Sequence, residues 1–97
     1  MPPKSPLPGR EAAEALALQA VAMIAADEDL LPRFLALTGC GLDELRARLA
    51  ESEFLGAVLD FVLENDETAE KLAELAGILP EILLLARSKL PGGAVEW

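Results

Sequence analysis

The sequence predicts an all-α fold, a compact bundle of about six short helices in a single domain. Apolar residues recur at helical spacing along most of the chain, and no stretch alternates apolar and polar residues long enough to indicate a strand. Glycine and proline interrupt these apolar segments where helices would end or begin. With 97 residues, 53% of them apolar and 26% charged, the chain has room for one core but not for two.

The first three helices are predicted over about 11–26, 31–38 and 42–50. The first is apolar nearly all round, which is typical of a central, buried helix. Pro32 suits the first turn of the second helix, and Gly39 suits the position after its end. The third helix begins with two acidic residues, which interact favourably with the positive end of the helix dipole.

The last three helices are predicted over about 52–64, 66–76 and 80–90. Ser52 is a good candidate for the N-cap of the fourth helix, which carries a broad apolar face. The fifth helix is followed by a glycine, and the sixth begins with a proline. Arg87 lies in the last turn of the sixth helix, where a cation favours the helix dipole.

A shift of 38 residues aligns the two halves of the chain, about 14–50 and 52–88, helix for helix. Identical residues under this shift are Leu37 and Leu75, Gly39 and Gly77, and Leu45 and Leu83. We interpret this match as a duplicated three-helix unit within one helical domain over 11–90. Because neither half can bury its apolar faces alone, we expect the first and fourth helices to pair as the central layer.

The two ends of the chain are expected to be flexible. Residues 1–10 form a proline-rich arm, since the first nine hold four prolines and a glycine. Residues 91–97 form a tail that begins with a proline and two glycines. The tail carries Val95 and Trp97, which either pack back onto the domain or serve as a short docking segment.

Charge and composition argue against several classes of function. The 17 acidic and 8 basic residues give a net charge of −9, which argues against a nucleic-acid-binding protein. The chain has no histidine, no tyrosine and one cysteine, which argues against most zinc sites, histidine general bases, catalytic triads and structural disulfides. We therefore expect no catalytic residues, no metal and no cofactor.

The same composition favours a cytoplasmic protein, and few lysines beside abundant alanine, leucine and arginine suggest a bacterial source. A single cysteine cannot form an internal disulfide, so nothing requires an oxidising compartment. The apolar stretch over 15–26 is too short to span a bilayer. Acidic residues just before it argue against a signal peptide.

Cys40 lies in a Gly-Cys-Gly turn that allows two interpretations. A reachable thiol would serve as a nucleophile or redox group, but it needs a cationic neighbour or a base to form thiolate. The 38-residue shift aligns Cys40 with Ile78, which favours a small apolar plug beneath the turn. The acidic corners at 27–29 and 65–67 are interpreted as helix caps, because their spacing does not fit a calcium loop.

Four consecutive apolar residues at 82–85 cover every side of the sixth helix, so Leu84 or Leu85 is expected to face outward. Thr38 and Cys40 at the first glycine turn complete the candidate interaction surface. We expect an unidentified protein partner, no nucleic acid and no membrane, and a chain that is a monomer or a weak homodimer. Two alternatives would explain the four apolar residues at 82–85 without a partner: the sixth helix is central, or the N-terminal arm covers it.

These observations favour a small, non-catalytic protein-interaction or regulatory module. Two other classes stay open. One is a small-ligand-binding protein or enzyme centred on Cys40, which a deep pocket with an arginine beside the thiol would favour. The other is a homo-oligomerising structural protein that associates through the sixth helix.

Two phrases of the sequence, Leu-Pro-Arg-Phe-Leu-Ala-Leu-Thr-Gly at 31–39 and Phe-Leu-Gly-Ala-Val-Leu-Asp-Phe at 54–61, follow an apolar helix over 11–27. In this combination the chain resembles, from about 11 to 93, a family of short proteobacterial proteins catalogued as domain of unknown function thirty-five seventy-two. The resemblance implies a small, helical, bacterial protein and brings no assigned activity, cofactor or catalytic residue.

Residues 33–65 also resemble a ubiquitin-associated-type three-helix module, with a glycine turn at 38–40 and Ala57-Val58 in the last helix. Such modules bind partner proteins through the glycine turn and the last helix. This turn lacks the Met-Gly-Phe/Tyr pattern of ubiquitin binders. The resemblance therefore implies a helical interaction surface rather than a particular ligand.

Overall fold

The computed structural model describes residues 9–92, which contain six α-helices and no strand. The helices are α1 (Arg10–Ala25), α2 (Leu30–Thr38), α3 (Leu42–Arg48), α4 (Ser52–Leu63), α5 (Asp66–Ala76) and α6 (Pro80–Ser88). The all-α bundle predicted from the sequence is confirmed. Most of the predicted N-terminal arm, the Val95 and Trp97 of the predicted tail, and the rest of 93–97 lie outside the described residues.

The start of α4 differs from the prediction. Glu51 occupies the N-cap position and Ser52 is the first helical residue, so the prediction that Ser52 caps this helix is wrong. The Ser52 hydroxyl instead donates to Oε2 of Glu14 on α1, at 2.6 Å, and accepts from Nη2 of Arg10 at 3.0 Å. The side chain that was expected to cap its own helix therefore connects α4 to α1.

Helix α4 is the centre of the bundle. It packs against α1, α5 and α6, and its pairing with α1 agrees with the expected central layer. Seven of its 12 residues are buried. Phe34 of α2 closes this core from one side, because its ring meets those of Phe54 and Phe61 edge to face at centroid distances of 5.9 and 5.1 Å.

Positions related by the 38-residue shift have similar surroundings. Gly39 and Gly77 end α2 and α5 in the left-handed region, at φ 73° and 72°, which glycine adopts without strain. Leu37 and Leu75 are both 64% exposed. The two halves are not packed alike, however. Helices α5 and α6 of the second half both pack against α1 of the first half, in addition to α4 of their own half. The duplication of a three-helix unit stays a prediction.

Arg87 lies in the last turn of α6, as predicted, but its side chain points inward and is 8% exposed. Its guanidinium donates from Nε and Nη2 to the two carboxylate oxygens of Asp60 on α4, at 2.6 and 3.0 Å. Nη1 also donates to the carbonyl oxygens of Leu90 and Pro91, at 3.1 and 3.3 Å. One side chain therefore attaches the segment after α6 to the central helix.

Candidate functional site

The leucines selected on the sixth helix are at the surface. Leu84 is 62% exposed and Leu85 is 39% exposed, whereas Leu83 is fully buried. The expectation that Leu84 or Leu85 faces outward is confirmed. The helix reaches this arrangement because its buried face is already occupied by Leu83, Ala86 and the inward Arg87. Leu84 and Leu85 are left at the surface, and Ile82 is half-buried.

Leu84 lines a shallow depression of about 290 Å³ that we call the α5–α6 groove. Its walls come from the end of α4 and the first turns of α5 and α6. The lining residues are Leu63, Asp66, Ala69, Pro80, Glu81 and Leu84. Four of the six are apolar, and both charged residues are carboxylates. Leu85 is not among them, so the two selected leucines do not share this groove.

A second depression, of about 330 Å³, lies between α2 and α4, and we call it the α2–α4 groove. It is lined by Leu37, Thr38, Arg48, Phe54, Ala57, Asp60, Phe61 and Glu64. Thr38 reaches this groove, but its hydroxyl donates to the carbonyl of Phe34 at 3.0 Å and accepts from the amide of Cys40 at 3.3 Å. Thr38 thus supports the glycine turn as well as lining the groove.

Cys40 is buried, with 7% of its surface exposed, and lines neither groove. Nη1 of Arg48 donates to its sulfur at 3.8 Å, so an arginine does stand beside the thiol. The same guanidinium lies 4.8 Å from the centroid of the Phe54 ring and donates from Nε to Glu51 at 3.1 Å. This bond to the Glu51 carboxylate raises the pKa of Arg48 above its usual range. The thiol fills the space beneath the turn rather than facing a partner.

The four selected residues therefore do not form one surface. Leu84 lines the α5–α6 groove, Thr38 lines the α2–α4 groove, and Cys40 is buried. Sequence reasoning missed Pro80, Ala69 and the other residues of the α5–α6 groove, because these come from three helices. The acidic starts of α5 and α6 can be seen in the sequence, but they give no information on which helix starts lie together.

A third depression, of about 360 Å³, lies where the corner between α1 and α2 meets the corner between α4 and α5, and we call it the corner cleft. All eight lining residues form pairs under the 38-residue shift: Asp27 with Asn65, Asp29 with Glu67, Leu30 with Thr68, and Arg33 with Lys71. The interpretation of these corners as helix caps is confirmed for Asn65, the N-cap of α5, but not for the first corner, because the N-cap of α2 is Asp29, whose side chain makes no capping bond. Oδ1 of Asp27 accepts from the amides of Asp29 and Leu30, and Oδ1 of Asn65 accepts from the amide of Thr68.

Asp27 gives the fold a dependence on pH. The amide of Leu30, then that of Asp29 and, less, the Lys71 ammonium at 3.3 Å hold the pKa of the Asp27 carboxyl below its ordinary 3.8. A carboxyl whose pKa is lower in the folded state stabilises the fold above its unfolded-state pKa, and this contribution is lost as pH falls through the folded-state value. We expect Asp27→Asn to lower the free energy of unfolding at neutral pH and to lower it less as pH falls below about 4.

Urea unfolding of the wild type and of Asp27→Asn at several pH values measures this difference. Asparagine keeps an oxygen acceptor for the two amides, so the comparison isolates the charge. Asp43→Asn, at an exposed acid in the first turn of α3, is the control for a general loss of negative charge. A difference in the free energy of unfolding between wild type and Asp27→Asn that stays constant with pH would contradict the stabilising role of the Asp27 charge.

In the part of the chain that the structure describes, no three side chains among the acids and the cysteine stand close enough to hold a metal ion. None of the helices between residues 9 and 92 combines the length and the apolar character needed to cross a membrane.

The chain matches one family model, whose description is "Protein of unknown function (DUF3572)", over residues 10–93. The match covers all six helices and confirms the family resemblance seen in the sequence. Comparisons with curated proteins and with solved structures gave no match. The likeness of residues 33–65 to a ubiquitin-associated-type module stays a prediction.

Proposed function

We propose that this chain, which belongs to the family of proteins of unknown function DUF3572, is a non-catalytic protein-interaction module of the cytoplasm. The observation that carries the proposal is the position of Leu84, a largely exposed leucine that borders an apolar groove. Single exposed leucines are common on protein surfaces. An exposed leucine that continues an apolar depression forms one connected apolar surface with it. Removing this apolar surface from water is favourable by about 25 cal/mol per Å².

Several polar groups of the other depressions support an interaction role over catalysis. In the corner cleft Asn65 caps α5, the Asp27 carboxylate accepts from the amide of Leu30, and Lys71 donates to Asp27. In the α2–α4 groove Asp60 is bonded to Arg87. These groups have structural partners within the described residues, so they are engaged in holding the fold. A catalytic acid or base needs instead to reach a substrate.

The Arg48–Cys40 contact favours a second candidate, a thiol enzyme or ligand carrier centred on Cys40. A guanidinium near sulfur favours the thiolate, which is the reactive form. Burial of Cys40 and its position outside both grooves count against this candidate. Alkylation of the folded protein by iodoacetamide separates the two. A rate close to that of free cysteine, lost in Arg48→Gln, would favour the thiol function over the interaction module.

The Leu84→Glu substitution should abolish partner binding and leave the fold intact. Because Leu84 is 62% exposed, the change should alter the free energy of unfolding by less than about 0.5 kcal/mol. A charge placed inside an apolar interface costs about 2 kcal/mol or more, which lowers affinity at least about 30-fold. Co-purification of a tagged copy from the native host, with mass spectrometry, measures the loss.

Leu37→Glu is the matched control, because Leu37 is exposed to the same degree and lines the other groove. We expect this variant to keep the partner. A partner held equally by wild type and Leu84→Glu contradicts the proposed surface. A partner lost only by Leu37→Glu would move the surface to the α2–α4 groove, where Thr38 lies.

A further inference from the structure

We propose that the α5–α6 groove binds a basic amphipathic helix of a partner protein. This inference rests on the proposed interaction function and adds the chemistry of the partner. It is carried by the two kinds of surface that the groove combines: an apolar floor and wall, and a rim whose charges are all negative.

The negative rim is not neutralised by the cations of the same two helices. Asp66 and Glu81 form no ion pair within residues 9–92. Lys71 of α5 is bonded to Asp27, and Arg87 of α6 is buried against Asp60. The exposed residues of α5 add further acids, namely Glu67, Glu70 and Glu74. A partner that covers the groove therefore meets carboxylates, which lysine and arginine complement.

The shape of the groove suits side chains projecting from a helix. Its volume of about 290 Å³ lies just below the range for small-molecule pockets, about 300–1,000 Å³, and the depression is shallow. The small side chain of Ala69 leaves the space that forms the depression, and Leu84 lies at the edge of this space. An amphipathic helix binds in this way, with apolar residues at i, i+3, i+4 and i+7 in the groove and its polar face outside.

The negative rim also disfavours other occupants of the α5–α6 groove, namely a second copy of this chain, nucleic acids and anionic lipid surfaces. A second copy of this chain, related by a two-fold axis through the groove, would place Asp66 and Glu81 close to the same acids of its partner. Nucleic acids and anionic lipid surfaces carry phosphate, which these carboxylates repel. A basic helix is attracted instead, and the net charge of −9 accelerates its approach.

Two synthetic peptides test the partner chemistry. Each has about 18 residues, enough to form a helix, and both carry the same leucine face. One has lysine on its polar face and the other has glutamate. Binding is followed by fluorescence anisotropy of the labelled peptide at several salt concentrations. We expect the lysine peptide to bind with a Kd of about 1–100 μM that weakens with salt, and the glutamate peptide not to bind.

Leu84→Glu separates docking in the groove from general attraction to an acidic protein. The substitution adds negative charge, so general attraction predicts equal or tighter binding of the lysine peptide. Docking in the groove predicts a loss of at least about tenfold, because the apolar contact is replaced by a buried charge. Leu37→Glu adds the same charge at an equally exposed leucine outside the groove and should change the Kd less than about twofold.

The rim is tested with a charge-matched pair of double variants. Asp66→Asn with Glu81→Gln should weaken binding about fivefold and flatten its salt dependence, since each exposed ion pair contributes modestly. Asp43→Asn with Glu44→Gln removes the same charge from α3 and should have a much smaller effect. Equal effects of the two double variants would overturn the assignment of the rim.

The proposal is overturned if the lysine peptide does not bind, if both peptides bind equally, or if Leu84→Glu binds as tightly as wild type. It is also overturned if sedimentation shows a wild-type dimer that Leu84→Glu dissociates, because the groove then binds a second copy. Loss of the host partner by Leu84→Glu without binding of the lysine peptide would overturn the partner chemistry alone. Retention of the host partner by Leu84→Glu would overturn the proposed function itself.

Discussion

Replacing Phe34 with alanine should lower the free energy of unfolding by about 3–5 kcal/mol. The ring is 1% exposed and lies edge to face against Phe54 and Phe61 of α4. The substitution removes the transfer free energy of a buried ring, leaves a cavity and breaks two aromatic pairs, each worth about 0.5–1.5 kcal/mol beyond its area. A chain of this size has a total stability of about 5–15 kcal/mol, so the variant should approach the threshold of folding.

Urea unfolding followed by far-ultraviolet circular dichroism measures the loss. Phe34→Leu is the informative intermediate, because the 38-residue shift aligns Phe34 with Leu72, which is also fully buried. A leucine should retain most of the apolar contact and cost about 1–2 kcal/mol. Leu37→Ala, on the exposed side of α2, should change stability by less than about 0.5 kcal/mol. A Phe34→Ala loss below about 1 kcal/mol would contradict this account of the core.

The helices were predictable because residues near each end in the sequence determine where the helix begins or ends. Gly39 and Gly77 end α2 and α5 in a backbone conformation that favours glycine, and Pro80 begins α6. Ser52 shows the limit of such signals. A serine at a helix start is a good cap when the helix is considered alone. The proximity of Glu14 and Arg10 on α1 gives its hydroxyl other partners, and only the tertiary fold determines that proximity.

Part of the candidate site was predictable for a different reason. On a helix, four consecutive apolar residues cannot all face the core, and this alone identified Leu84 and Leu85 as the candidates. The groove beside Leu84 was not predictable, since Leu63, Ala69 and Pro80 come from three helices whose packing the sequence does not specify. The corner cleft was predictable only in part, because the 38-residue shift relates its lining residues in pairs but does not show that the two corners lie together.

Arg87→Ala should lower the free energy of unfolding by about 3 kcal/mol. The buried guanidinium makes two bonds to Asp60 and two to the carbonyls of Leu90 and Pro91. Hydrogen bonds to charged groups contribute about 1.5–3 kcal/mol, and buried carbonyls that lose their donor add to the cost. Because the side chain of Asp60 is 54% exposed, its carboxylate can turn to water, which limits the loss. Arg10→Ala, which removes an exposed ion pair with Glu14, should cost less than about 1 kcal/mol.

Gly56 on α4 allows a test of why Arg87→Ala lowers the free energy of unfolding, as well as of how much it does so. A Cβ at this position would lie 2.7 Å from Nη1 of Arg87 and 2.8 Å from the carbonyl oxygen of Pro91. Gly56→Ala should therefore cost about 1–3 kcal/mol in the wild type, although alanine is the better helix former by about 1 kcal/mol. In the Arg87→Ala background the guanidinium is gone and Pro91 is no longer held, so the same change should cost little or become favourable.

The expected coupling between the two substitutions is at least about 1 kcal/mol, measured as a double-mutant cycle by urea unfolding. Such coupling follows only if Arg87 holds the segment after α6 against the helix that contains Gly56. Additive effects, within about 0.5 kcal/mol, would mean that the segment stays in place without the guanidinium. The role of Arg87 would then be limited to its bonds with Asp60, and the tightness at Gly56 would come from the backbone alone.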